Sequence, residues 1–80
     1  SVLEGKHPVA SVLLRRRLID VTLQKAKSTR YRHAVRHVRE IESQQSNIAD
    51  YGRHESHNDF MTRLKREHPR KFGFWSLLAE

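Results

Sequence analysis

Tyr31-Arg32-His33-Ala34-Val35-Arg36-His37-Val38-Arg39-Glu40-Ile41 is the stretch on which the fold turns. Tyr31, Ala34, Val38 and Ile41 recur at three- and four-residue intervals, so a helix gathers them on one face. Ile48 continues that face, Gln45 interrupts it and Val35 lies at its edge. Arg32, Arg36, Arg39 and Ser43 fall on the opposite side. The spacing predicts an amphipathic helix near 31–48 with one side in solvent.

Upstream, Pro8 suits the first turn of a helix, where its missing N–H costs nothing. The residues from Val9 to Lys27 favour helix, and their apolar positions form two strips. Val12, Ile19, Leu23 and Ala26 make one; Ala10, Leu14, Leu18 and Val21 make the other. So broad an arc predicts cover on more than one side and makes the first helix, near 8–27, the central one. Ser28-Thr29-Arg30 breaks the pattern, with either hydroxyl able to cap the next helix. A connection this short predicts an antiparallel hairpin.

Downstream, Asp50-Tyr51-Gly52 closes the second helix, Gly52 being suited to a left-handed conformation. Ser56 and Asp59 read as a capping pair for a third helix near 57–68, which Pro69 ends. Phe60, Met61 and Leu64 share one face of it with His57 and His68. Phe72, Phe74, Trp75, Leu77 and Leu78 then crowd into a short helical turn near 73–79. No stretch alternates with strand period. The expectation is an all-α chain, residues 1–80 forming one small domain.

Composition agrees. Leu, Ile, Val and Phe supply 20 of 80 residues, enough for a modest core and above the range of disordered chains. A domain of this size buries only about 60–65% of its unfolded surface. No apolar run approaches the length of a membrane span. Zero cysteines exclude a disulfide scaffold, a thiol nucleophile and a Cys-ligated zinc. Their absence, with no signal-like start, points to a cytoplasmic setting. The chain opens at Ser1 rather than Met, which suggests an excised piece of a longer polypeptide. Sixteen Lys and Arg against nine Asp and Glu leave +7, a charge that suits anionic partners or simply a well-solvated helical surface.

Tyr31-x-x-Ala34-x-x-x-Val38-x-x-Ile41 is spaced like the second helix of a tetratricopeptide repeat, with Ile41 where a small residue is usual. Arg30-Tyr31-Arg32-His33-Ala34, the Glu55/His57 pair and His68-x-Arg70-Lys71-x-x-Phe74-Trp75 together resemble uncharacterised bacterial helical-repeat proteins. Similar segments occur C-terminal to SWIM-type zinc fingers. The resemblance runs from about Val9 to Leu78. It implies a tetratricopeptide-like module of a larger protein, with no catalytic residues to transfer. The finger itself needs cysteines that this chain lacks.

The histidines offer little chemistry on their spacing. His33 and His37 lie one turn apart with Glu40 beyond, yet nothing completes a tetrahedral set. His54-Glu55-Ser56-His57 is one residue short of a metalloprotease signature. His57 and His68 suit structural roles, one imidazole nitrogen meeting a backbone carbonyl. No catalytic residue, metal or cofactor is expected.

Two groups of residues remain. Arg32, Arg36 and Arg39 form a stripe able to follow a phosphate backbone, and Arg15-Arg16-Arg17 adds charge on the first helix. Helical pairing of Arg36 with Glu40, and of Arg39 with Glu42, competes with that role. Phe72, Phe74 and Trp75 are expected to line a core with Tyr31 and Phe60, or to dock on another copy. The leading expectation is a non-enzymatic, self-associating protein-interaction module that takes a protein partner or a second copy of itself and has no membrane role. The alternative is an accessory nucleic-acid-binding domain using the arginine stripe.

Overall fold

A computed structural model describes residues 7–25 and 28–80. Among them, four α-helices follow one another and no strand occurs. These are α1 (Pro8–Lys25), α2 (Tyr31–Gln44), α3 (His57–Glu67) and α4 (Phe72–Ala79). Ala26 and Lys27, which the sequence assigns to the first helix, lie outside the described residues.

The core is built from the positions the apolar periods pick out. Val12, Ile19 and Leu23 of α1 are fully buried against Ala34, Val38 and Ile41 of α2, with Phe60, Leu64 and Phe74 completing the cluster. Tyr31 closes one end. The second strip of α1 behaves otherwise: Leu14 is 54% exposed, Leu18 41%, and Ala10 is open to solvent. The central helix is therefore α2, which packs on both α1 and α4. Two turns of helix can contribute two apolar faces, but a domain this small has too few elements to cover both.

The ends of the helices follow local chemistry, with some departures from expectation. Ser28, Thr29 and Arg30 form a 3-10 turn leading straight into α2, and no side chain caps that helix. At its far end α2 tightens into a 3-10 turn, Gln45–Asn47, before Ile48 becomes extended. Gln45, which seemed to interrupt the apolar face, donates its side-chain amide to the Ile41 carbonyl at 3.0 Å and to the Tyr51 hydroxyl at 2.7 Å. It ties the end of α2 to the following loop.

Gly52 has the positive φ of 64° that its position called for, in a turn where its N–H donates to Asp50 Oδ1 at 2.7 Å. That turn lies beyond the end of α2, so Gly52 redirects the loop and does not cap the helix. The α3 cap is as expected, with Ser56 Oγ accepting from the Asp59 N–H at 3.1 Å.

Candidate functional site

The aromatic segment divides. Phe74 is fully buried, edge-on to Tyr31 at 6.4 Å and to Trp75 at 4.9 Å between ring centroids. Trp75 is half-buried: its indole N–H donates to the His68 carbonyl at 2.8 Å, and Lys65 Nζ lies 4.4 Å from its ring centroid. Phe72, at 70% exposure, belongs to no core. It starts α4 on the solvent side, so the expected three-aromatic anchor is Phe74 with Trp75.

The arginine stripe is partly committed. Arg39 donates to the Leu78 carbonyl at 2.7 Å and pairs with Glu42 at 3.3 Å, fastening α4 to α2. Arg36 turns to His33 Nδ1 at 2.8 Å; the expected pair with Glu40 is not formed. Arg32 lines a groove of about 280 Å³ with Val35, Leu77 and Glu80. Arg15 reaches His37 Nδ1 at 2.9 Å. With arginines on both imidazoles, the His33/His37 pair is poorly placed to hold a cation. Burial holds His37 below the ordinary histidine range, with Arg15 adding to the effect.

Arg16 is the residue that sequence reasoning missed. Within a basic triplet it reads as surface charge, yet it is almost fully buried. Its guanidinium lies between the rings of Tyr51 and Phe60, at 5.0 and 4.9 Å from their centroids, and donates to the Glu55 carbonyl at 2.9 Å. Burial lowers its pKa. Cation–π contact and one strong hydrogen bond offset part of the desolvation, while Nε stays buried without a partner. The visible clue is its position beside Val12, Ile19 and Leu23 on the inward side of α1.

A second polar cluster joins α1 to α3. Arg63 donates through Nε to Glu55 Oε2 at 2.9 Å, and its Nη1 lies 3.0 Å from Glu67 Oε1 and 3.8 Å from Asp20 Oδ2. The bond from Arg63 holds the Glu55 carboxyl below the usual range, and the same bond raises Arg63. His68 Nε2 is 3.7 Å from Asp20 Oδ1, an oxygen that is buried without a hydrogen-bond partner. Asp20, Glu67 and His68 each offer one ligand atom, all within 4.8 Å of one another. His57, expected to satisfy a nitrogen on a carbonyl, instead keeps Nδ1 buried and unpartnered, and burial lowers its pKa.

The outer face of α1 is the remaining feature. Ala10, Leu14, Leu18 and Val21 run along it, and Leu18 and Val21 line a groove of about 230 Å³ with Thr22, Lys25 and Arg30. Arg17, Lys25 and Arg30 are exposed around this strip. The one acidic residue of α1, Asp20, points away from it toward Arg63 and His68. Among the described residues, an apolar ridge with a basic rim is thus left open.

These features belong to an all-helical domain in which no described helix is long and apolar enough to cross a membrane. The chain belongs to DUF6880, a family of unknown function, whose model matches residues 1–77. No curated protein and no solved structure matches it.

Proposed function

We propose that the chain is a non-enzymatic protein-interaction module, an antiparallel tetratricopeptide-like hairpin that docks an amphipathic helix of a partner along α1. The observation that carries this reading is the Ala10–Leu14–Leu18 strip, exposed among the described residues, with Leu14 more than half exposed and Val21 half-buried at its end. Residues at such spacing match the i, i+3/i+4, i+7 anchors of a helix laid in a groove. The rim selects the partner's chemistry. Arg17, Lys25 and Arg30 favour carboxylates flanking the docked ridge, whereas a second copy would set like charges against each other. An acidic amphipathic helix is therefore a better occupant than another molecule of the same chain.

The test uses two synthetic helical peptides with identical leucine ridges, one flanked by Glu and one by Lys. Titrated into isotopically labelled protein, the Glu peptide should shift the amide resonances of residues 10–21, and the Lys peptide should not. Leu14→Glu with Leu18→Glu should abolish the shifts while leaving the helical circular dichroism intact. Equal response to both peptides, or none to either, overturns the reading. Concentration-dependent dimerisation through the same residues makes the occupant a second copy.

Accessory nucleic-acid binding through Arg32, Arg36 and Arg39 is the alternative, supported by their exposure and by the +7 charge. The commitment of Arg39 to the Leu78 carbonyl and of Arg36 to His33 weighs against it. Binding that falls steeply with salt and vanishes on charge reversal of the three arginines is its signature.

A further inference from the structure

We infer that Asp20, Glu67 and His68 form a binding site for a first-row divalent cation, with zinc as its natural probe, clasping α1 to the end of α3. Metal–ligand bonds of about 2.0–2.1 Å place the donors of a tetrahedral site about 3.3 Å apart. Asp20 Oδ1 and His68 Nε2 are 3.7 Å apart, so a contraction of a few tenths of an ångström brings them to an ion. All three donor atoms lie within 4.8 Å, leaving a fourth position for water.

Independent of this spacing, one of the donors is buried and unsatisfied. The His68 side chain is 10% exposed, and its Nε2 lies 3.7 Å from Asp20 Oδ1. Asp20 Oδ1 is buried with no hydrogen-bond partner. Buried polar atoms are rarely left so, and this one faces an imidazole nitrogen across a gap that a shared ion would bridge.

Carboxylates are concentrated at this end of α3. Although the chain is strongly basic, Asp20, Glu55 and Glu67 gather around Arg63, with Arg16 and Arg66 also acting on Glu55. Glu55 holds Arg63 through its Nε, so the guanidinium leans away from Asp20, at 3.8 Å. Imidazole with carboxylates suits zinc and its first-row neighbours better than calcium or magnesium. The Trp75 N–H bond to the His68 carbonyl fixes the backbone that presents the imidazole.

Calorimetric titration of the full chain with zinc chloride tests the site, with cobalt(II) as a spectroscopic probe. One ion per chain is expected, with the visible absorption of four-coordinate cobalt. Glu67→Gln, at an exposed position, should weaken binding by at least about tenfold, the smaller loss seen even for outer-shell partners. Asp20→Asn and His68→Gln should do the same with circular dichroism unchanged, and if either unfolds the chain, Glu67→Gln alone decides. His33→Gln with His37→Gln should leave affinity as it was. The assignment is overturned if zinc gives neither heat nor a rise in melting temperature. It is equally overturned if binding survives Glu67→Gln or is lost with His33 and His37.

Discussion

Replacing Phe74 by Ala is the most severe test of the packing. Its ring is fully buried and lies edge-on to both Tyr31 and Trp75. Truncating a buried Phe costs about 3–5 kcal/mol in lost transfer energy and cavity, and the aromatic pairs place this site toward the upper end. At about 0.05–0.15 kcal/mol per residue, 80 residues hold only about 4–12 kcal/mol in total. A domain of this size loses about 4–8 °C of melting temperature per kcal/mol. Phe74→Ala should therefore melt at least about 12 °C lower or be unfolded at room temperature. Phe72→Ala, two residues away and 70% exposed, should stay within about 0.5 kcal/mol of the parent. Urea titration followed by circular dichroism reads both. The account of α4 is refuted if the two substitutions cost alike, or if Phe74→Ala costs under about 1 kcal/mol.

Two more outcomes follow from the same geometry. Burial holds His37 and His57 below the ordinary value of about 6.5; Arg15, Arg36 and His33 add to this at His37 against Glu40, while at His57 Glu42 opposes it and Arg16 adds. The unfolded chain then takes up protons first, so stability should decline as pH falls from about 7.5 to about 5, and His37→Gln should flatten the decline; a flat profile in the parent contradicts it. Gly73→Ala would place a methyl 3.1 Å from Tyr31 Cδ2, a ring pinned by Phe74, so the helix-propensity gain of up to about 1 kcal/mol should be outweighed and the melting temperature should drop; a rise would show that Tyr31 has room to move.

What the sequence could disclose is what periodicity encodes. The buried set Tyr31, Ala34, Val38 and Ile41 follows from spacing alone, as do Pro8 at the start of α1 and Ser56 capping α3. Period says which residues share a face, not how many neighbours exist to cover it, so the exposed Ala10–Leu14–Leu18 strip looked like core. Arg16 was hidden for the complementary reason: a charged residue goes inside only where two rings and a carbonyl from distant segments meet it. Phe72 and Phe74 differ by which side of one short helix faces α2, and composition is blind to that. Asp20 and His68 are far apart in the chain, so no local motif announces their meeting. The fold class was legible in single helices; the polar clusters depend on tertiary encounters.

Because the chain contains no cysteine, single thiols can report on each strip of α1. The most direct measurement is the rate at which a thiol reagent modifies Leu18→Cys and Ile19→Cys, with and without the Glu-flanked peptide. Adjacent in sequence, these positions lie on opposite strips: Leu18 is 41% exposed and Ile19 fully buried. The account predicts that Leu18→Cys reacts nearly as fast as a free thiol, slows on adding the peptide, and that Ile19→Cys stays protected throughout. Equal protection of both in the chain alone, or no slowing by the peptide, contradicts an open docking face on α1.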